Sequence, residues 1–169
     1  NYEAGIKSML LDNKLRVNAT VFLADYTDLQ FAFTSAQGNL IVSNAGKAEV
    51  SGLELEVDYA PTDWLNFMIA YSLQDGKTTD IPEETGIPQG IAPGQMPEHT
   101  FNAGFSTNSV LASGWSVETR ADYLYKSEYQ SELNPDPAFT TGVDGLINAG
   151  LTLISPDGRW SFGLWGKNL

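Results

Sequence analysis

Between Leu53 and Tyr59 the chain alternates without a break. Leu53, Leu55, Val57 and Tyr59 are apolar, and Glu54, Glu56 and Asp58 between them are carboxylates. Side chains of an extended strand point alternately to opposite faces. The stretch is therefore a ribbon with one oily side and one acidic side. A helix cannot use this pattern, because it brings together residues three and four apart. The same period of two recurs along the chain. Leu15, Val17, Ala19, Val21 and Leu23 oppose Arg16, Asn18, Thr20 and Phe22, while Leu65, Phe67, Ile69, Tyr71 and Leu73 oppose Asn66, Met68, Ala70 and Ser72. Further on, Val117, Thr119, Ala121, Tyr123 and Tyr125 oppose Glu118, Arg120, Asp122 and Lys126. This periodicity predicts strands near 2–10, 15–28, 47–59, 64–74, 98–107, 115–127, 145–154 and 160–168.

Several of these runs exceed the common strand length of about 5 to 6 residues. They match the roughly 9 to 11 residues that cross a bilayer at a tilt. The connections sort by length. "LDNK" (11–14), "APTD" (60–63), "NSVLASG" (108–114) and "SPDG" (155–158) are short and rich in turn formers, whereas the links at 29–46, 75–97 and 128–144 are long. Short turns at one end and long loops at the other are the pattern of an outer-membrane barrel. Trp64, Trp115 and Trp160 each open the strand after a short turn, and are the candidates for an interfacial girdle. Strict alternation puts Trp64 on the Asn66 face, away from the Leu65 face.

Composition removes several function classes. The formal net charge of −12 disfavours nucleic acid, whose phosphates need a basic stripe. With no cysteine, disulfide frameworks, thiolate metal sites and cysteine nucleophiles are absent together. No run approaches the ~18 apolar residues of a membrane helix, a test that barrel strands escape by alternating. A soluble all-β binding module remains the rival from another class. In it, the greasy face of "FMIAYSL" (67–73) would need a second sheet to cover it.

The stretches "YEAGIKSMLLDNKLRVNATVFLADYTDLQ" (2–30), "NAGKAEVSGLELEVDYAPTDWL" (44–65), "RADYLYKSEY" (120–129) and "DGRWSFGLWGKNL" (157–169) resemble, in this order, the later barrel strands of TonB-dependent receptors. The resemblance covers nearly the whole chain. It implies an all-β, antiparallel transmembrane β-barrel, of which residues 1–169 supply about eight strands of a larger wall. Such barrels have about 22 strands and a plugged lumen. The resemblance also implies the outer membrane of a Gram-negative cell, and energised uptake of a nutrient complex, most often a ferric siderophore. Outer-membrane lipid, TonB, a plug domain and a small-molecule or metal-chelate cargo are the implied partners. Neither catalysis nor a resident cofactor is implied. A plug, a TonB-binding segment and the last strands are missing from the segment, so it is expected to be an internal piece of a longer protein. Eight strands also suffice to close a small barrel, which leaves a passive pore or structural barrel as the alternative.

Within this reading the lumen-wall candidates are Arg16, Glu54, Glu56, Asp58, Glu118, Arg120 and Asp122. Cargo contact falls to loop aromatics, with Phe31, Phe33, Tyr129 and Phe139 as candidates. His99 is the single histidine, and it lacks a second histidine or a cysteine with which to build a metal or catalytic site. Asp75, Asp80, Glu83 and Glu84 share one long link without the regular spacing of a calcium loop.

Overall fold

The computed structural model describes residues 1–34, 38–134 and 136–169; the side chains of residues 31–34, 43–45 and 84 lie outside that description. The chain forms one antiparallel sheet of eight strands in sequence order. The strands are β1 (Tyr2–Leu10), β2 (Leu15–Thr34), β3 (Leu40–Thr62), β4 (Leu65–Thr79), β5 (His99–Val110), β6 (Ser116–Gln130), β7 (Thr140–Ile154) and β8 (Ser161–Gly166). Two short 3-10 turns, at Glu83–Thr85 and Pro137–Phe139, complete the regular structure of the described residues. Among these residues β1 and β8 pair on one side only, so the sheet is open and does not close as a small barrel. Among the described residues no second sheet covers its apolar face.

All eight expected strands form, and their main error is length. The link at 29–46 is largely a continuation of the β2–β3 hairpin, paired as far as Thr34↔Leu40 across a bulge between Tyr26 and Leu29. The link at 128–144 shrinks in the same way, since β6 runs to Gln130 and β7 begins at Thr140. Ladder hydrogen bonds need no alternation of polarity, so pairing persists where the sequence signal fades.

Directly opposed residues share a face, and the register sorts the two faces cleanly. One row runs Leu15, Tyr59, Phe67, Phe105, Ala121, Ala149 through six strands. The next runs Val17, Val57, Ile69, Ala103, Tyr123, Ile147. The opposite face carries Arg16, Asp58 and Met68 in one row, and Asn18, Glu56, Ala70, Asn102 and Leu124 in another.

The short turns are staggered across the sheet. The first closes at Leu10↔Leu15, on the Phe67–Phe105 row, whereas the third closes at Val110↔Ser116 and the fourth at Ile154↔Ser161. The latter two lie five residues further along than Phe105 and Ala149, which makes about one residue of shift per strand. With the turns at one level, ~3.3 Å of shift per ~4.8 Å of strand spacing is a tilt of about 35°. That tilt belongs to a barrel wall. On β4, eleven residues separate Trp64 from Asp75, the first charge on the apolar face after Leu73. At this tilt they span roughly 30 Å of height, the thickness of a bilayer hydrocarbon core.

Above that height the alternation keeps its phase and reverses its polarity. On the face that carries Leu53 and Leu73, the next rows hold Asp25, Glu49 and Lys77, with a Lys77 Nζ–Glu49 Oε2 contact of 2.8 Å. On the face that carries Glu54, the next rows hold Ala24, Val50, Ala48 and Thr78, all buried. The β4–β5 link folds over this inner patch. The Thr78 amide and hydroxyl both donate to the Ile91 carbonyl, at 2.8 and 2.9 Å, and Ile81 is buried. Gly76 makes room for Met96, whose terminal methyl occupies the place a Cβ would take.

Two local features give tests. At Gly52 a Cβ would lie 2.5 Å from the Phe22 ring and 2.6 Å from the Leu73 carbonyl oxygen. Gly52→Val is expected to destabilise the wall by about 1–3 kcal/mol. Phe22→Ala should rescue it only in part, because the backbone clash remains; urea titration of the full-length protein in lipid vesicles reads both. In the last short turn, the Ser155 hydroxyl donates to Asp157 Oδ1 at 2.7 Å and the Arg159 amide at 3.1 Å. These bonds, the serine's first, hold the Asp157 carboxyl below its usual range. Its contribution to stability is therefore full above the unfolded carboxylate value near ~4 and is lost as pH falls through the lowered folded value. The stability gap between the native protein and Asp157→Asn should accordingly be constant near neutrality and close on acidification below about pH 4. A gap that widens in acid would contradict this.

Candidate functional site

The polar face holds the wall candidates, and the register brings most of them to partners. Arg16 on β2 faces Asp58 on β3, with its Nη2 2.5 Å and its Nε 3.0 Å from Asp58 Oδ2. One row up, Asn18 donates to Glu56 Oε2 at 3.1 Å. Glu54 lies between Thr20 and Ser72. Across the sheet, Asn148 donates to Asp122 Oδ2 at 2.7 Å, and Arg120 Nε sits 3.7 Å from Asp122 Oδ1. Glu118 is flanked by Asn108 and Thr152. Apart from Arg120–Asp122, which lies along β6, these are cross-strand contacts between polar side chains, with Arg16 and Arg120 more than half exposed. Exposed pairs of this kind contribute little.

Near the short turns this face carries a 740 Å³ cavity lined by Trp64, Asn66, Asn108, Glu118 and Arg120. Trp64 thus lines a cavity with Asn66, whose parity it shares. Trp115 stacks on Phe162 of the apolar face, with ring centroids 6.4 Å apart. Trp160, whose carbonyl accepts from the Ser155 amide, is 65% exposed at the same end of the sheet. Trp165 escaped the sequence reading. It pairs with Gly150, and it lines a 420 Å³ cavity with Arg120, Asp122 and Asn148. Its signal was in "FGLWGK", where Phe162 and Leu164 occupy the opposite parity.

At the long-loop end the β4–β5 and β6–β7 links meet. The Gln95 amide donates to the Gln130 carbonyl at 2.7 Å, and Gly94 sits so close to the Glu132–Leu133 backbone that a Cβ would approach it to 2.8 Å. Beneath this junction lies a 410 Å³ cavity lined by Gln74, Met96, Glu98, Glu128, Tyr129 and Gln130, among others. Of the four aromatic candidates, Tyr129 lines this cavity, and it does so from the end of β6, paired with Thr141, where a loop position was expected. Phe139 ends the second 3-10 turn, where its carbonyl accepts from the Ser131 amide and hydroxyl. The side chains of Phe31 and Phe33 lie outside the described residues. Gln130 Oε1 is buried and has no hydrogen-bond partner among the described residues.

His99 stands on the apolar face opposite Leu73, with its Nδ1 2.9 Å from the Tyr71 hydroxyl. Asp80 is held by Lys47 at 2.5 Å, and Asp75 lies opposite Ser51. Among the described residues no group of three potential ligands converges to hold a metal ion.

The model of the family described as "TonB dependent receptor-like, beta-barrel" matches residues 1–169. Among solved structures, the siderophore receptor PiuA from Acinetobacter baumannii superposes with a TM-score of 0.69 at 18% identity, over 98% of this chain and 23% of that one. BauA, the ferric preacinetobactin receptor from the same organism, does so with a TM-score of 0.70 at 13% identity, over 98% and 24%. The chain thus spans about a quarter of the length of these receptors. At such identities the likeness is one of fold.

The wall's polar contacts carry a direct expectation. Arg16→Met should cost less than about 1 kcal/mol, since both partners are wet and Asp58 stays solvated without it. Urea titration of the full-length protein in vesicles checks this, and a loss of several kcal/mol would mean that the face is sealed from water.

Proposed function

Since the chain belongs to the TonB-dependent receptor-like β-barrel family, we propose that residues 1–169 form part of the wall and mouth of an outer-membrane receptor that takes up a metal chelate of the siderophore class. One observation carries the placement in the membrane. The apolar face is continuous for roughly 30 Å between the short turns and the first charged row, and the polarity of the alternation reverses where it ends. Below that boundary the outside is lipid and the inside wet; above it the outside is water and the inside is covered by loop.

In this reading the short turns face the periplasm, and Trp115 and Trp160 sit at that interface. The polar face, with Glu54, Glu56, Glu118 and Arg120, borders the lumen, where a plug domain and TonB act through parts of the protein outside residues 1–169. The two long links, joined at Gln95 and Gln130, meet the cargo first. The chain supplies scaffold and recognition, with no chemical step assigned to it.

Two measurements test the proposal. In a Gram-negative host that depends on the full-length protein for a radio-iron chelate, uptake should vanish when TonB is deleted. Uptake that continues without TonB would identify a passive pore. On the wall, Ile69→Arg should destabilise insertion by about 2–4 kcal/mol, whereas Ser72→Arg on the other face should change it far less. Equal costs would remove the lipid-facing assignment.

A further inference from the structure

The β4–β5 link, residues 80–98, is longer than most connections in a compact domain, and links of such length are usually either functional or disordered. This one is tied down. Its near end turns back onto its own strand. The Thr78 amide and hydroxyl donate to the Ile91 carbonyl, and the Gly90 amide returns a bond to the Thr78 carbonyl at 2.8 Å. Its far end rejoins the wall where the Gln74 amide donates to the Glu98 carbonyl at 2.8 Å. Between these points the Met96 methyl fills the hollow over Gly76, and the Gln95 amide reaches the Gln130 carbonyl at the end of β6.

Within the link one side chain stands in for a strand. Gln89 Oε1 accepts from the Ile81 amide at 3.1 Å, and Gln89 Nε2 donates to the Ile81 carbonyl. A side-chain amide carries both an acceptor and a donor, so it satisfies both backbone groups of one residue; an ionised glutamate, acceptor only, cannot. The 3-10 turn is closed by Thr85, whose hydroxyl donates to the Pro82 carbonyl at 2.7 Å and accepts from the Ile87 amide at 3.1 Å. Thr78 and Ile81, at the base of the link, are 1% and 3% exposed. Composition makes this order easier to hold. Pro82, Pro88, Pro93 and Pro97 narrow the unfolded ensemble, and Gly86 and Gly90 take up φ of 68° and 79° without strain.

We infer that the β4–β5 link is a fixed cover over the inner side of the mouth, formed before cargo arrives, kept in place during uptake and clasped by Gln89. This rests on the uptake reading above for what the mouth does, and on the bonding of the link for its rigidity. A ligand that meets a preformed surface loses none of its binding free energy to ordering it. Entry to the lumen then passes beside the link, which is moored to the wall at Gln74, Gly76 and Thr78.

Hydrogen exchange of the full-length receptor in detergent, read by mass spectrometry, tests the resting state. Peptides covering 78–91 should exchange about a hundredfold or more slowly than the same peptides in the unfolded chain. Gln89→Ala and Gln89→Glu should each speed this exchange about tenfold while leaving peptides of β7 unchanged. Exchange of the native link at the unfolded rate would overturn the inference, and an unchanged rate in both variants would remove Gln89 as the clasp. Cysteine labelling reads motion during uptake, since these 169 residues contain no cysteine. In the host used for the uptake assay, Ile81→Cys should react with an impermeant maleimide about a hundredfold more slowly than the exposed Glu83→Cys. Adding the radio-iron chelate should leave that difference intact. Thr78→Cys, equally buried, repeats the measurement should the Ile81 variant loosen the link. A TonB-dependent rise to the Glu83→Cys rate when chelate is added would make the link a lid and overturn the inference. The exchange measurement needs no cargo, so it decides whether the cover is fixed even where the uptake reading fails.

Discussion

Inside a bilayer no water is available to a backbone amide or carbonyl, and each unpaired group costs several kcal/mol. Everything else in this structure follows from the way the ladder meets that demand. Seven antiparallel pairings, each with its immediate neighbour in sequence, satisfy the interior strands on both sides. Neighbour-to-neighbour pairing needs only hairpins, so every second connection can shrink to a tight turn. The outer edges of β1 and β8 are where the pairing of this sheet ends among the described residues.

The ladder also sets the division of labour between faces. With a period of two, one strand can meet two solvents at once, and the chain uses this twice with opposite sign. Along β3, Leu55 and Val57 face the apolar side while Glu54 and Glu56 face the wet side; a few residues on, Glu49 and Lys47 take the outer side and Val50 and Ala48 the inner one. The strand does not slip or twist to make the exchange. Only the identity of the solvent changes, and the side chains change with it. Gly52 stands at the crossing, where the Phe22 ring lies across the backbone.

Much of this was legible in the sequence. Arg16 and Asp58 share a parity and lie at the same short-turn end of neighbouring strands, so their pairing could be expected from the strand positions alone. The lengths of β2 and β3 could not, because beyond Tyr26 the alternation dissolves while the backbone ladder continues through a bulge. Trp165 was not singled out because it does not open a strand after a short turn; its partner Gly150 puts it on the polar face. Tyr129 was found for its aromaticity, yet what defines its surroundings is a junction between two links separated by an entire strand pair. No local pattern in "GQMPEH" announces that Gln95 will bond Gln130.

The sequence by itself determined the strands and the faces they present, because both depend only on side-chain parity along one extended chain. The tertiary structure decided the tilt, the true ends of the hairpins and the cavity under the long loops. Those properties arise from register and from backbone hydrogen bonds between distant segments, and backbone groups are chemically the same in nearly every residue. They leave no mark in the alternation that made the rest readable.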